Sequence, residues 1–116
     1  MAFTEVEIAE HTATIEEILW SRHRPPLHIR ELMREGQRFT DQSIEFFYVR
    51  PAFGRPGTFI EEPIAKVQYV RSRGVWRLYW QRADLKWHGY QPCPEAESLA
   101  AALNVINQDA CNCFFG

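Results

Sequence analysis

Cysteine and histidine side chains are the groups in this chain best suited to holding a metal ion or attacking a substrate. His88, Cys93, Cys111 and Cys113 would supply four ligands for a tetrahedral metal such as zinc, if the C-terminal tail returned to a strand near His88. Their spacing argues against such a site, because C-x-C is less specific than paired C-x-x-C motifs and Cys93 stands alone between two prolines. We therefore predict reduced thiols, no bound metal and no cofactor, and we keep this metal site as an alternative.

A catalytic nucleophile needs a base, and the sequence offers Cys111 or Cys113 with His88 or His28. Nothing in their positions along the chain brings these residues together. The sequence contains no glycine-rich phosphate loop, no G-x-S-x-G and no H-E-x-x-H. The Glu61-Glu62 pair lies on an extended segment, so its two carboxylates point to opposite sides. The sequence therefore predicts no catalytic residue, and a small enzyme without a recognisable motif remains an alternative.

A set of basic and aromatic residues is predicted to share the open face of an antiparallel sheet. The set consists of Lys66, Arg77, Tyr79, Lys86, His88 and Tyr90. Cations bind phosphates or carboxylates and aromatic rings stack on bases, so this composition is typical of nucleic-acid-binding sheets. Long polar side chains also cover the open face of many antiparallel sheets, and tyrosines pack in protein interfaces. We therefore predict a non-enzymatic protein-interaction or self-association module, for example a homodimer, with nucleic-acid binding as an alternative.

The strands that would position this set lie in residues 63–91. Large apolar residues recur at every second position and predict a core face, which comprises Val67, Tyr69, Trp76, Leu78 and Trp80. A tight turn at Arg73-Gly74 would pair Val67 with Trp80. A second turn at residues 82–85 would pair Gln81 with Lys86 and set Trp80 beside Trp87. This register predicts Trp87 in the core, with His88 and Tyr90 on the open face beside Arg77.

Two helices and a further hairpin are predicted to complete the fold. Thr4 and Glu7 form a capping box before an amphipathic helix that ends at Pro25-Pro26. The sequence predicts one or two helical turns over residues 27–34. It also predicts a hairpin closed on Asp41-Gln42, with strands over residues 36–40 and 43–50. That hairpin would place four apolar residues on one side, namely Phe39, Ile44, Phe46 and Tyr48.

The remaining segments are a loop, a second helix and a tail. Residues 51–63 predict a surface loop, with Phe53 and Phe59 folded back onto the body. Residues 95–107 predict an amphipathic helix with one apolar stripe, made of Leu99, Ala102, Leu103 and Ile106. The final phenylalanines are expected to be buried. Together these elements predict an α+β fold: a mostly antiparallel meander of about five strands, with an N-terminal and a C-terminal helix on one face, in a single domain over residues 1–116.

The charge is nearly balanced overall but unevenly distributed. Thirteen lysines and arginines against fifteen aspartates and glutamates give a net charge of -2, which points to neither a nucleic-acid nor a membrane partner. Residues 1–20 contain five glutamates and no lysine or arginine, whereas residues 64–88 contain six basic residues against Asp84 alone. No apolar run approaches the roughly 20 residues of a membrane span, and the acidic N-terminus does not resemble a signal peptide. We therefore predict a soluble cytoplasmic protein.

Three aromatic motifs carry a resemblance to a known family. W-x-L-Y-W, W-x-x-Y and F-F-G stand at residues 76–80, 87–90 and 114–116. Together with the N-terminal helix and the R-P-P segment, they resemble a family of small bacterial proteins described only as a domain of unknown function, family 3024. The resemblance covers most of the chain and implies a single-domain bacterial protein. It implies no activity, cofactor or catalytic residue.

Overall fold

The computed structural model of the chain describes residues 2–115. The helical segments are α1 (Glu5–Ile15), a π-helical turn (Glu16–Trp20), α2 (Ser21–His23), a 3-10 turn (Leu27–Ile29) and α3 (Leu99–Gln108). The strands are β1 (Arg34–Thr40), β2 (Ser43–Pro51), β3 (Phe59–Val70), β4 (Val75–Gln81), β5 (Trp87–Gly89) and β6 (Glu95–Ala96). They form an antiparallel sheet in the order β1-β2-β3-β4-β5, and β6 also pairs with β4. The predicted α+β meander with a helix at each end is therefore confirmed.

The first helix begins and ends as predicted, but its middle is irregular. The Thr4 hydroxyl accepts from the Glu7 backbone N–H at 3.1 Å, and the Glu7 carboxylate accepts from the Thr4 N–H at 2.9 Å. The helix stops before Pro25-Pro26. The π-helical turn adds a residue to the helical period, so Ile15, Leu19 and Trp20 are all buried on one side.

Both helices cover one face of the sheet. The predicted stripe of α3 is confirmed, because Leu99, Ala102, Leu103 and Ile106 are all buried in the core. The predicted start of this helix at residue 95 is wrong. Glu95 and Ala96 instead pair with β4, and the helix begins after Ser98, whose hydroxyl accepts from the Ala101 N–H. In the tail, Phe114 is buried and Phe115 is half-buried, whereas Gly116 lies outside the described residues.

The first hairpin is confirmed in register. Thr40 pairs with Ser43 around the two-residue loop Asp41-Gln42, in which Asp41 adopts a φ of 52°. Aspartate tolerates this left-handed conformation, as the tight turn requires. All four predicted inward residues (Phe39, Ile44, Phe46 and Tyr48) belong to the core or pack against it.

The loop before β3 is shorter than predicted, because β3 already begins at Phe59. A bulge between Phe46 and Phe47 leaves Ile64 without an opposite residue on β2. β4 pairs only with the segment from Lys66 to Val70, so residues 59–63 pair with β2 alone and form an edge. The predicted folding of Phe53 and Phe59 onto the body is wrong: their exposed fractions are 100% and 62%.

The hairpin between β3 and β4 has a longer loop than predicted. Val70 pairs with Val75 and Val67 with Leu78, so the predicted pairing of Val67 with Trp80 is wrong by two residues. The cause is a four-residue loop closed by a bond from the Gly74 N–H to the Val70 carbonyl at 2.8 Å. A shift of two residues keeps every side chain on its predicted face.

The predicted register between β4 and β5 is wrong by one residue, and this shift exchanges the two faces of β5. Trp80 pairs with His88 and Gln81 with Trp87, instead of Trp80 with Trp87. The Arg82 N–H donates to the Lys86 carbonyl around a three-residue loop that ends in Leu85, with a φ of 64°. A turn followed by a left-handed residue is a standard three-residue hairpin, but leucine seldom occupies that position.

Replacing Leu85 with glycine should therefore stabilise the protein. Leucine is strained at a φ of 64° and its side chain is 77% exposed, so little packing is lost. We expect Leu85→Gly to raise the free energy of unfolding by about 0.5–1 kcal/mol, measured by urea denaturation. Leu85→Ala keeps the strain and should give no gain. Equal stabilisation by both substitutions would contradict the argument.

Candidate functional site

The six predicted binding residues do not share one surface. Lys66, Arg77 and Tyr79 lie on the open face, the side of the sheet away from α1 and α3. His88 pairs with Trp80 and therefore points to the helix side. Tyr90 is only 2% exposed on that same side, and Lys86 lies exposed in the turn opposite Arg82. The predicted single platform is thus wrong, because the three-residue loop shifts the register of β5.

The open face is less basic than predicted. Arg77 lies 3.7 Å from a Glu95 oxygen, and the same carboxylate is 2.6 Å from Arg73. β6 brings Glu95 there by pairing it with Arg77. The Tyr79 hydroxyl donates to Gln68 at 3.1 Å, and the Lys66 ammonium lies 5.9 Å from the Tyr79 ring. Arg77 and Tyr79 already have partners within the chain.

The helix side carries a cleft between the β4–β5 hairpin and the C-terminal tail. We call it the β4–β5 cleft; it has a volume of about 550 Å³. Its walls come from Trp80, Arg82, His88, Gly89, Tyr90, Gln91, Pro92, Pro94, Cys111 and Cys113. Small-molecule and peptide sites have this size and this mixture of rings and a few polar groups.

Two contacts within the chain hold the polar side chains at the rim of the cleft in place. The Arg82 guanidinium lies 5.6 Å from the centre of the Trp80 ring, a cation–π arrangement that holds both side chains at the cleft wall. The His88 Nε2 donates to Asp84 at 2.8 Å. The backbone N–H of Lys86 and the His88 ring lower the pKa of Asp84, so this carboxylate stays ionised and orients the imidazole.

Two cations of the β4–β5 hairpin, Arg82 at the cleft and Lys86 opposite it in the turn, have no carboxylate partner among the residues that the structure describes. Glu7 of the acidic first helix binds Arg71 at 2.9 Å, so that helix docks on its own sheet. Within residues 2–115, neither Arg82 nor Lys86 takes part in an ion pair with a carboxylate. Both side chains are exposed and available to an anionic ligand.

The floor of the cleft is a buried tyrosine beside two thiols. Burial and the neighbouring Cys111 thiol raise the pKa of Tyr90, whose ring centre lies 4.7 Å from that of Phe114. Burial and Cys111 also raise the pKa of Cys113. Cys113 is therefore a protonated thiol at neutral pH, and a protonated thiol is a weak nucleophile.

The four residues of the metal alternative come only partly together. His88, Cys111 and Cys113 line the β4–β5 cleft, whereas Cys93 packs against the core and donates to the Glu95 carbonyl at 3.4 Å. In the part of the chain that the structure describes, no group of three or more histidine, cysteine, aspartate and glutamate side chains could hold a metal ion.

Sequence reasoning missed Arg82 and assigned Trp80 to the core alone. Trp80 is half-buried, with one part against the core and the rest in the cleft. The available signal was a ring, two cations and an imidazole across one turn, at Trp80, Arg82, Lys86 and His88. Only the correct loop length reveals that Trp80, Arg82 and His88 line one cleft.

The fold and cleft define a small α+β domain with one helix-covered sheet face and a basic aromatic cleft at its edge. No helix within residues 2–115 has the length and apolar character needed to cross a membrane. The chain belongs to the family described as Domain of unknown function (DUF3024), whose model matches residues 3–116. No curated protein and no solved structure gives a match to the chain.

Proposed function

We propose that this protein is a non-enzymatic interaction module that binds an acidic, aromatic-containing segment of a partner protein in the β4–β5 cleft. The observation that carries the proposal is the convergence of Arg82, His88 and Trp80 on one cleft of about 550 Å³. Arg82 and Lys86 would bind carboxylates of the segment, and the Trp80 ring would stack on its aromatic side chain. The protonated Cys113 thiol supports binding over nucleophilic catalysis.

The open face supports this role less well. Arg77 lies 3.7 Å from the Glu95 carboxylate, which also binds Arg73, and the Tyr79 hydroxyl is bonded to Gln68, so a ligand would have to displace contacts within the chain. Lys66, also on that face, has an intermediate exposure and serves as a matched control for Arg82.

The proposal is tested with an immobilised copolymer of glutamate and tyrosine as the probe. We expect the wild-type protein to be retained at low salt, with weaker retention above about 0.1 M salt, where surface charges are screened over roughly 10 Å. Arg82→Glu should weaken binding by about tenfold or more, because it replaces a charge-assisted hydrogen bond with repulsion. Lys66→Glu changes the net charge equally and should leave retention almost unchanged.

Equal losses in both variants would mean that only net charge matters, and would contradict the proposal. Absence of wild-type retention would contradict it as well. Immobilised single-stranded DNA and RNA are run in parallel, since the nucleic-acid alternative predicts binding that falls steeply with salt. Retention on nucleic acid without retention on the acidic copolymer would replace the proposed partner.

A further inference from the structure

Exposed apolar side chains are concentrated in one part of the chain. Seven large apolar residues in the described part of the chain are exposed, and five of them fall between positions 27 and 60. These five are Leu27, Leu32, Phe53, Phe59 and Ile60. Leu32 and Phe59 line one groove, and contiguous exposed apolar surface is typical of a contact site, whereas apolar residues scattered singly need no explanation.

An ordered loop holds Phe53 out into solvent. The loop joins β2 to β3 and consists of two successive turns, each with a glycine of positive φ at its third position, Gly54 at 72° and Gly57 at 82°. The Arg55 N–H donates to the Ala52 carbonyl at 3.3 Å, and the Thr58 N–H donates to the Arg55 carbonyl at 3.1 Å. Glycine at this position is what type II turns require. The two turns therefore hold the Phe53 side chain fully exposed.

A groove large enough for a phenyl ring lies beside this loop. It has a volume of about 290 Å³ and is lined by Glu31, Leu32, Met33, Arg34, Val49 and Phe59. Val49 on β2 and Phe59 on β3 flank the loop, and the other four lining residues come from positions 31–34, where the chain enters β1. We call the loop and the groove together the hairpin tip.

We propose that the hairpin tip is a self-association surface, in which Phe53 of each copy inserts into the groove of a second copy. Val49 precedes Phe53 by only four residues, about 13 Å of extended chain, so one twofold axis can close both contacts at once.

The charges at the hairpin tip favour a second copy as the occupant. Arg55 stands two residues after Phe53, and Glu31 and Arg34 both line the groove, where the Arg34 Nε donates to the Arg30 carbonyl at 3.3 Å. Arg55 and Glu31 are both exposed, and neither forms an ion pair within residues 2–115. Insertion of Phe53 brings the Arg55 side chain of one copy towards the Glu31 carboxylate of the other, and the symmetry repeats this pair.

This inference goes beyond the proposed function and is independent of it, because the hairpin tip and the β4–β5 cleft share no residue. Two inserted rings make a small interface, which is typical of weak, reversible association. We therefore expect a dimer with a Kd of roughly 10–100 µM, measured by sedimentation equilibrium.

The test begins with the inserted ring. Phe53→Ser should raise the Kd by about tenfold or more, because an aromatic anchor of the contact is lost. Val6→Ser removes another apolar side chain, 66% exposed on α1, and should leave the Kd unchanged. A wild-type protein that is monomeric up to about 1 mM would overturn the proposal, and so would equal effects of the two substitutions.

Charge exchange tests the geometry of the contact. Arg55→Glu alone and Glu31→Arg alone should each weaken association, since each homodimer then faces two pairs of like charges. Mixing the two variants should restore dimers, because in the mixed pair both contacts again join opposite charges. Mixed samples that remain as monomeric as the separate variants would overturn the proposed arrangement.

Discussion

Replacing Phe46 with alanine should lower the free energy of unfolding by about 3–5 kcal/mol, the range observed when a buried phenylalanine is truncated. Phe46 is fully buried at the centre of the sheet, and its ring centre lies 6.2 Å from that of Trp20 in an edge-to-face arrangement. It pairs with Ala65 on β3, whose small side chain cannot fill the space that the phenyl ring would leave. The cavity would thus stay open.

Urea denaturation followed by circular dichroism measures this loss. Phe53→Ala is the matched control, because it removes the same side chain from a fully exposed position and should change stability by less than about 0.5 kcal/mol. Phe46→Leu keeps most of the volume and should cost only about 1–1.5 kcal/mol, which keeps the measurement possible if the alanine variant is unfolded. A loss below about 1 kcal/mol for Phe46→Ala would contradict the described core.

Adding a methyl group at Gly36 should destabilise the protein by about 1–3 kcal/mol, as overpacking does. Gly36 pairs with Phe47, whose ring lies across the glycine: a Cβ there would be 2.9 Å from Cζ and 3.1 Å from Cδ2. The Arg38 guanidinium lies 4.9 Å from the centre of the same ring. The ring is therefore confined from two sides and has to move when Gly36 becomes alanine.

A double-mutant cycle with Phe47→Ala isolates this contact. Once the ring is removed, Gly36→Ala should cost little, so the two effects should differ from additivity by about 1 kcal/mol or more. Gly89→Ala is the control, because a Cβ at this other strand glycine meets no atom within 4 Å. Additive effects of Gly36→Ala and Phe47→Ala would refute the close packing.

Turn chemistry explains which parts of the sheet could be predicted from the sequence. The prediction of the hairpin at Asp41-Gln42 is confirmed, because aspartate commonly adopts the left-handed conformation in turns. Gly74 correctly marks the next turn, but glycine does not by itself fix the loop length, and the register is off by two residues. Because the register error is an even number of residues, each side chain stays on its predicted side of the sheet. The predicted tryptophan-rich core face of β3 and β4 is therefore still correct.

The site could not be predicted because one loop breaks the usual residue preferences. A leucine at a φ of 64° gives no sequence signal for a three-residue loop, and the odd shift that follows sends His88 and Tyr90 to the helix side. Glu95 was assigned to a helix, although it lies in a strand that brings its carboxylate to 2.6 Å from Arg73 and 3.7 Å from Arg77. The first error lies in a local turn, whereas the second is a tertiary effect, since the residues around Glu95 do not reveal its pairing with Arg77.

The unpaired edge of β3 has a consequence for how the chain behaves when concentrated. A free strand edge is a template on which identical strands stack into fibrils. Glu61 and Glu62, which form ion pairs with Arg38 and Arg50, place charged side chains along this edge, and Pro63 provides no N–H for its ladder. This edge therefore carries its own protection against amyloid growth, and we expect substitutions at these three positions to weaken that protection.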